Sequence, residues 1–293
     1  MNALAVPYVD CPCEVGESPR WNAADGCLYW VDIAAGRYFR HRDGDPASAY
    51  DSVDPGLGKI GALAVGPSGR LRLFTAGCRV WECPFGGAPE RVCELAAHED
   101  RRFNDVLTDA GNAFCGVACA PGRPGELWLL RDGRFACLER SLRGMPNGMG
   151  ISPDGKTFYF IVTDERRVYA YDYDRASGRI SEKRVLCEDF EPPGSPDGMA
   201  VDSTDGSLYI ALWDGGRLEH RDSDGRLLGV AGFPMEKVTS VDCADGRLFV
   251  TTANKAANRS AAFVRTGAGA VFCLPCNRVV FGNDGGRFWQ SEK

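Results

Sequence analysis

Four oxygen-bearing side chains, Glu17, Asn104, Asn147 and Asp197, recur at one register of this 293-residue chain. Each stands seven to nine residues before a glycine that follows a small residue and opens a β-rich run. Two further copies of the pattern place Ile60 or Gly61, and Val238 or Thr239, at that register. The strands that follow are apolar and small, as in Gly148-Met149-Gly150-Ile151 and Gly198-Met199-Ala200-Val201. Such runs read as buried inner strands. A polar group at the mouth of a buried strand costs free energy unless something pairs with it. Asn and Asp also cap turns through their own backbone, but four such groups in register around one axis point to a cation. Oxygen-only ligands favour Ca²⁺, Mg²⁺ or Mn²⁺ over softer metals. Glu17 and Asp197 supply two negative charges, enough to balance a divalent ion. With Asn147 they make three protein ligands, Asn104 lying nearby, and leave positions open for water and substrate.

The elements that must position these groups follow from the turns. The glycines are Gly26, Gly69, Gly111, Gly155, Gly206 and Gly246, separated by 43, 42, 44, 51 and 40 residues. Small-residue–Gly between apolar runs is a hairpin signal, because both turn positions need φ > 0. One hairpin per 40–50 residues is the signature of a β-propeller. The expectation is an all-β, six-bladed propeller with four-stranded blades, a single domain over residues 1–293 with minimal helix. The segment Leu4–Pro12 has no hairpin of its own. An open blade would expose unpaired backbone, so Ala5–Val9 is expected to close the C-terminal blade as its outer strand. Strands are expected at Ala270–Leu274 and Val279–Phe281.

Composition excludes several classes. The net charge is −6 with no Lys/Arg run, which argues against nucleic-acid and anionic-membrane partners. The start Met1-Asn2-Ala3-Leu4-Ala5-Val6-Pro7 has no basic n-region, and no stretch approaches 18 apolar residues, so neither a signal peptide nor a membrane span is expected. A cytoplasmic location follows, in which the thirteen cysteines would be reduced. Cys273-x-x-Cys276 reads as packing, or as a redox or metal pair joined by Cys11 and Cys13 if the N-terminal strand lies beside it. There is no G-x-S-x-G elbow, P-loop, dinucleotide fingerprint or H-E-x-x-H, and His41, His98 and His220 are scattered. Ser/His catalysis and a His-rich zinc site are therefore unsupported.

Gly16-Glu17-Ser18-Pro19-Arg20-Trp21, Arg102-Phe103-Asn104-Asp105, Pro146-Asn147-Gly148 and Ser195-Pro196-Asp197-Gly198-Met199 form an ordered set. Together they resemble the SMP-30/gluconolactonase/regucalcin-like sugar lactonases over roughly Val15 to Phe281. The resemblance implies that Glu17, Asn147 and Asp197 bind one divalent cation, calcium first with zinc, manganese, magnesium or iron as alternatives. It implies that Asp197 is also the catalytic base, and that Arg102 and Asn104 contact substrate. The reaction implied is hydrolysis of a sugar-derived lactone to its aldonic acid. Members of that family often carry an insertion after the third blade's second strand, with a further acidic substrate contact. Here that segment, Gly116–Gly125, is short, and Glu126 is not obviously that residue. The alternatives are a non-catalytic propeller with a structural cation that binds a partner, and an ester or organophosphate hydrolase using the same metal. Neither the oligomeric state nor the particular lactone is readable.

Overall fold

The computed structural model describes residues 7–66, 68–254 and 268–276. Six antiparallel sheets succeed one another along the chain. The first holds β1 (Gly16–Asn22), β2 (Cys27–Asp32), β3 (Arg37–Arg42) and β4 (Asp51–Val53). The second holds β5 (Ile60–Val65), β6 (Leu71–Thr75), β7 (Arg79–Cys83) and β8 (Glu90–Glu94). The third is β9 (Phe103–Asp109), β10 (Asn112–Val117), β11 (Gly125–Arg131) and β12 (Arg134–Leu142). The fourth is β13 (Pro146–Ile151), β14 (Thr157–Val162), β15 (Arg167–Asp174) and β16 (Arg179–Cys187). The fifth is β17 (Ser195–Val201), β18 (Leu208–Trp213), β19 (Arg217–Arg221) and β20 (Leu227–Gly232). The sixth is β21 (Val238–Ala244), β22 (Arg247–Thr252) and β23 (Val271–Pro275). A 3₁₀ turn spans Thr163–Glu165, and among the described residues no helix is long and apolar enough to cross a membrane.

The turn chemistry explains the repeat. Gly26, Gly69, Gly111, Gly155, Gly206 and Gly246 all adopt positive φ, from +66° to +84°, a region that costs glycine nothing. The first strand of each sheet contacts the first strand of the next, and β1 also contacts β21 and β22 of the last. The ring therefore closes, as a six-bladed propeller. Apolar clusters fill the blade junctions. Ala200, Tyr209 and Leu218 of blade 5 pack with Val241, Leu248 and Phe272 of blade 6, and Leu28, Trp30 and Phe39 of blade 1 pack with Phe249 and Val271 of blade 6. The sixth blade's fourth member comes from the N-terminal side. Val9 forms an antiparallel bridge with Val271, the Val9 and Val271 amides each donating to the other's carbonyl at 3.1 and 3.0 Å. Of the expected closing strand, Ala5 and Val6 lie outside the described residues, as does the expected strand Val279–Phe281.

Candidate active site

Each inner strand carries one extra residue at the register picked out by the turns. Between Glu17 and Arg20, β1 spends three steps against two on β2. The same excess occurs between Phe103 and Val106, between Pro146 and Met149, and between Pro196 and Met199. Blades 2 and 6 show it at Ile60/Ala62 and Val238/Ser240. A β-bulge of this kind breaks the alternation of side chains and turns a residue out of the sheet plane. Here the bulges fall at or beside Glu17, Asn104, Asn147 and Asp197, all four at most 8% exposed. Gly148 and Gly198 let neighbouring inner strands approach. A Cβ on Gly148 would stand 2.6 Å from the Met199 nitrogen, and one on Gly198 2.6 Å from the Ser240 Cα.

The four residues are joined or coupled. The Arg102 guanidinium donates to Asn104 Oδ1 at 2.6 Å. Asn104 Nδ2 donates to the Pro146 carbonyl at 2.8 Å and to Asn147 Oδ1 at 3.1 Å. Asn147 Nδ2 donates to Thr163 Oγ1 at 2.9 Å, and that hydroxyl donates to the Pro196 carbonyl at 2.8 Å. Asp197 adjoins Asn147, whose hydrogen bond favours its charged form, but burial and the Glu17 and Asp105 charges hold its carboxyl well above the usual range. Glu17 is pushed up to about 8, chiefly by burial and then by Asp105, against a 3.1 Å hydrogen bond from the Ser18 amide. Arg102 is itself destabilised by burial, while the Glu17 and Asp197 charges oppose that. Among the described residues, neither Glu17, Asp105 nor Asp197 forms an ion pair. Thr239, at the sixth ring position, is occupied in donating to the Gly16 carbonyl at 2.6 Å.

Asp105 is the site residue that the register count does not single out. It is 8% exposed, accepts from the Val106 amide at 2.9 Å, and has its carboxyl raised by burial. Arg20 is a second. It donates to the Pro19 and Val106 carbonyls at 2.7 and 3.0 Å, and its charge favours ionisation of Glu17, Asp105 and Asp242. Three buried carboxylates near two arginines, Arg102 and Arg20, leave the donor set with an excess of one negative charge when all are ionised. Buried charges without partners are costly, so hard-oxygen groups gathered this way suit a divalent cation.

Glu126 is committed elsewhere. It accepts from the fully buried Arg101 side chain at 2.9 Å, contacts His98 Nε2 at 2.9 Å and accepts from Trp128 Nε1 at 2.6 Å. The cysteines stand as expected, reduced and with Cys273 and Cys276 unjoined. All thirteen cysteines are free, and Cys276 faces Cys243, with sulfurs 3.5 Å apart, and not Cys273. Cys273, on β23, packs toward blade 1, and Cys276, just past the end of that strand, packs toward blade 5.

Fold and site together define a six-bladed propeller with a cluster of hard-oxygen donors on its axis. The chain belongs to the SMP-30/gluconolactonase/LRE-like family, whose model matches residues 15–254. It is 38% identical over 250 residues to a pentonolactonase of Haloferax volcanii, covering 84% of each chain. It is 30% identical over 276 residues to regucalcin of Gallus gallus, covering 88% of this chain and 89% of that one. A solved regucalcin of Agrobacterium tumefaciens, described as a calcium-binding protein, shares the fold with a TM-score of 0.84. That alignment has 21% identity and covers 98% of this chain and 97% of the other.

Proposed function

We propose that residues 1–293 form a single-domain, cytoplasmic, divalent-cation-dependent lactonase that opens a sugar-derived lactone to its aldonic acid. The observation that carries this reading is the cluster of buried carboxylates Glu17, Asp105 and Asp197, none in an ion pair among the described residues, gathered with Asn104, Asn147 and Arg102. The 38% identical pentonolactonase makes five-carbon aldono-lactones the first substrates to try. The relation to regucalcins makes calcium the first cation, with zinc, manganese, magnesium and iron behind it.

Glu17, Asn147 and Asp197 would hold the cation. Asn147 Nδ2 donates to Thr163 Oγ1, and Asn147 Oδ1, which accepts from Asn104, keeps a second lone pair for the ion. When bound, a divalent cation supplies positive charge for the developing oxyanion and makes water more acidic. An adjacent cation also favours the charged form of Asp197, which burial and the Glu17 and Asp105 charges disfavour. Asp197 then accepts a proton from the water that attacks the lactone carbonyl carbon. The acyl–oxygen bond breaks, the proton passes to the ring oxygen, and that oxygen leaves as a hydroxyl of the product. Arg102 donates to substrate oxygens, and Asn104 holds the guanidinium for that task. Orientation of this kind is worth several kcal/mol when geometry is fixed.

The test is a panel of pentono- and hexono-lactones on metal-stripped protein, with each divalent cation restored in turn. Hydrolysis that appears on restoration supports the reading. A protein that binds the cation and hydrolyses no lactone, aryl ester or organophosphate would be a binding propeller instead.

A further inference from the structure

At the opposite end of blades 5 and 6 lies a second cluster that the channel chemistry does not use. Asp202 follows β17, Cys243 lies near the end of β21, and Cys276 follows β23. One ligand atom from each lies within 4.8 Å of the others, and all three residues are partly exposed. Asp202 is five residues beyond Asp197, about 16 Å along an extended strand at about 3.3 Å per residue. We propose that Asp202, Cys243 and Cys276 form a second metal site, for a thiolate-preferring cation of the zinc class, which ties blade 6 to blade 5.

The strand register separates this reading from a disulfide. Cys243 pairs with Leu248 on β22, and Leu248 pairs with Leu274 on β23. A whole strand therefore lies between β21, which carries Cys243, and β23, which Cys276 follows, about two spacings of roughly 4.8 Å each. A disulfide wants Cα atoms within about 7 Å and sulfurs about 2.05 Å apart. The thiols instead reach toward each other over the Gly246 turn and stop at 3.5 Å. A tetrahedral zinc with Zn–S bonds of about 2.3 Å holds its sulfurs roughly 3.8 Å apart, which this pair meets with little movement.

The surroundings hold the ligands in place. The Cys276 amide donates to the Gly246 carbonyl at 2.9 Å, and the Tyr209 hydroxyl donates to the Cys276 carbonyl at 3.3 Å. Asp202 Oδ1 accepts from the Thr204 amide at 2.8 Å, leaving the other carboxylate oxygen for the ion. Backing of this kind orients ligands in metal sites. Two thiolates and a carboxylate suit zinc or cobalt and disfavour calcium or magnesium. On binding, the two thiol protons pass to solvent and water takes the fourth position.

This inference does not rest on the lactonase reading, and its test has a separate readout. Metal-stripped, reduced full-length protein is titrated with Co²⁺ in the absence of oxygen. Thiolate-to-cobalt charge-transfer absorption in the near ultraviolet is expected, bleached by Zn²⁺. The oxygen donors of the channel give no such band. Cys276→Ser should abolish or halve it. Asp202→Asn, which keeps the Thr204 contact, should shift its midpoint to higher Co²⁺. Cys11→Ser, which breaks the other close thiol pair, Cys11 and Cys13 at 3.5 Å, should leave it unchanged, and near-ultraviolet dichroism checks that each variant is folded. No band in the wild-type protein, or a band lost in Cys11→Ser and kept in Cys276→Ser, would overturn the proposal. So would a Cys243–Cys276 cross-linked peptide in protein that takes up no thiolate-bound metal after reduction.

Discussion

Asn104 donates its amide to Asn147 Oδ1 at 3.1 Å and so joins the ring positions of blades 3 and 4 directly. The link is part of a longer relay. Arg102 donates to Asn104, Asn104 to Asn147, Asn147 to Thr163, and Thr163 to the Pro196 carbonyl next to Asp197. One hydrogen-bonded chain thus fixes the orientation of groups on three blades.

Asn104→Ala should therefore do more than remove a substrate contact. It strips one of two acceptors from Arg102 and a donor from Asn147, and each buried group left unsatisfied costs about 1–3 kcal/mol. The Michaelis constant should rise and the affinity for a divalent cation should fall together, as read by steady-state kinetics and calorimetric titration. Arg102→Ala should raise the Michaelis constant with cation affinity retained. Unaltered cation binding in Asn104→Ala would remove the positioning role.

The carboxylate cluster sets a pH dependence of stability in metal-free protein. Glu17 rises from 4.5 to about 8 on folding, and Asp105 and Asp197 also rise. The folded state then holds protons that the unfolded chain has released. The cluster's contribution to stability is fully present below about pH 4.5 and is lost as pH rises through about 8. Melting temperatures in chelator should show this fall relative to a Glu17→Gln/Asp197→Asn double variant. Saturating Ca²⁺ should reverse it, because the ion binds the ionised forms. A metal-free profile parallel to that of the double variant would contradict the electrostatics.

Much of this was legible in the chain, for physical reasons that differ between residues. The six glycines needed positive φ and adopt it, so blade number followed from turn chemistry. Glu17, Asn104, Asn147 and Asp197 shared an offset, and hydrogen bonds or charge coupling now join them. Asp105 was not singled out because side chains alternate along a regular strand. Beside Asn104 it should have pointed away, and only the bulge between Phe103 and Val106 breaks that rule. A bulge has no residue-type signature here; its trace was the glycine after Asn147 and Asp197, where the next strand crowds in. Cys243 lay 33 residues from Cys276, so its pairing depended on tertiary register that no local spacing encodes.

Close approach at the axis yields a stability prediction. An added Cβ at Gly198 meets Ser240 Oγ at 2.3 Å and Ser240 Cα at 2.6 Å. Gly198→Ala must spread β17 from β21, and overpacking of this sort costs about 1–3 kcal/mol. Urea unfolding should show that loss. A change under about 0.5 kcal/mol, the usual size for an exposed site, would mean the strands yield freely.

Glu126 distinguishes a structural acid from a substrate contact. Its partner Arg101 has no exposed side-chain surface, and removing one member of a buried pair costs about 3–5 kcal/mol. The partial exposure of Glu126 and the carbonyls that Arg101 also meets place Glu126→Leu at the low end. The melting temperature should drop, with kcat/KM of the folded enzyme within a few-fold of wild type. A stable variant with a much higher Michaelis constant would return Glu126 to the substrate site.

The central claim is that Asp197 is both a ligand and the base, and Asp197→Asn isolates the second role. The variant keeps an oxygen donor and nearly the same volume but cannot accept a proton. Single-turnover lactone hydrolysis, measured with the cation shown bound by titration, should fall by about 10²–10⁴-fold, the usual loss for a general base. Hydrolysis within a few-fold of wild type at full cation occupancy would assign the proton to another group and contradict the mechanism.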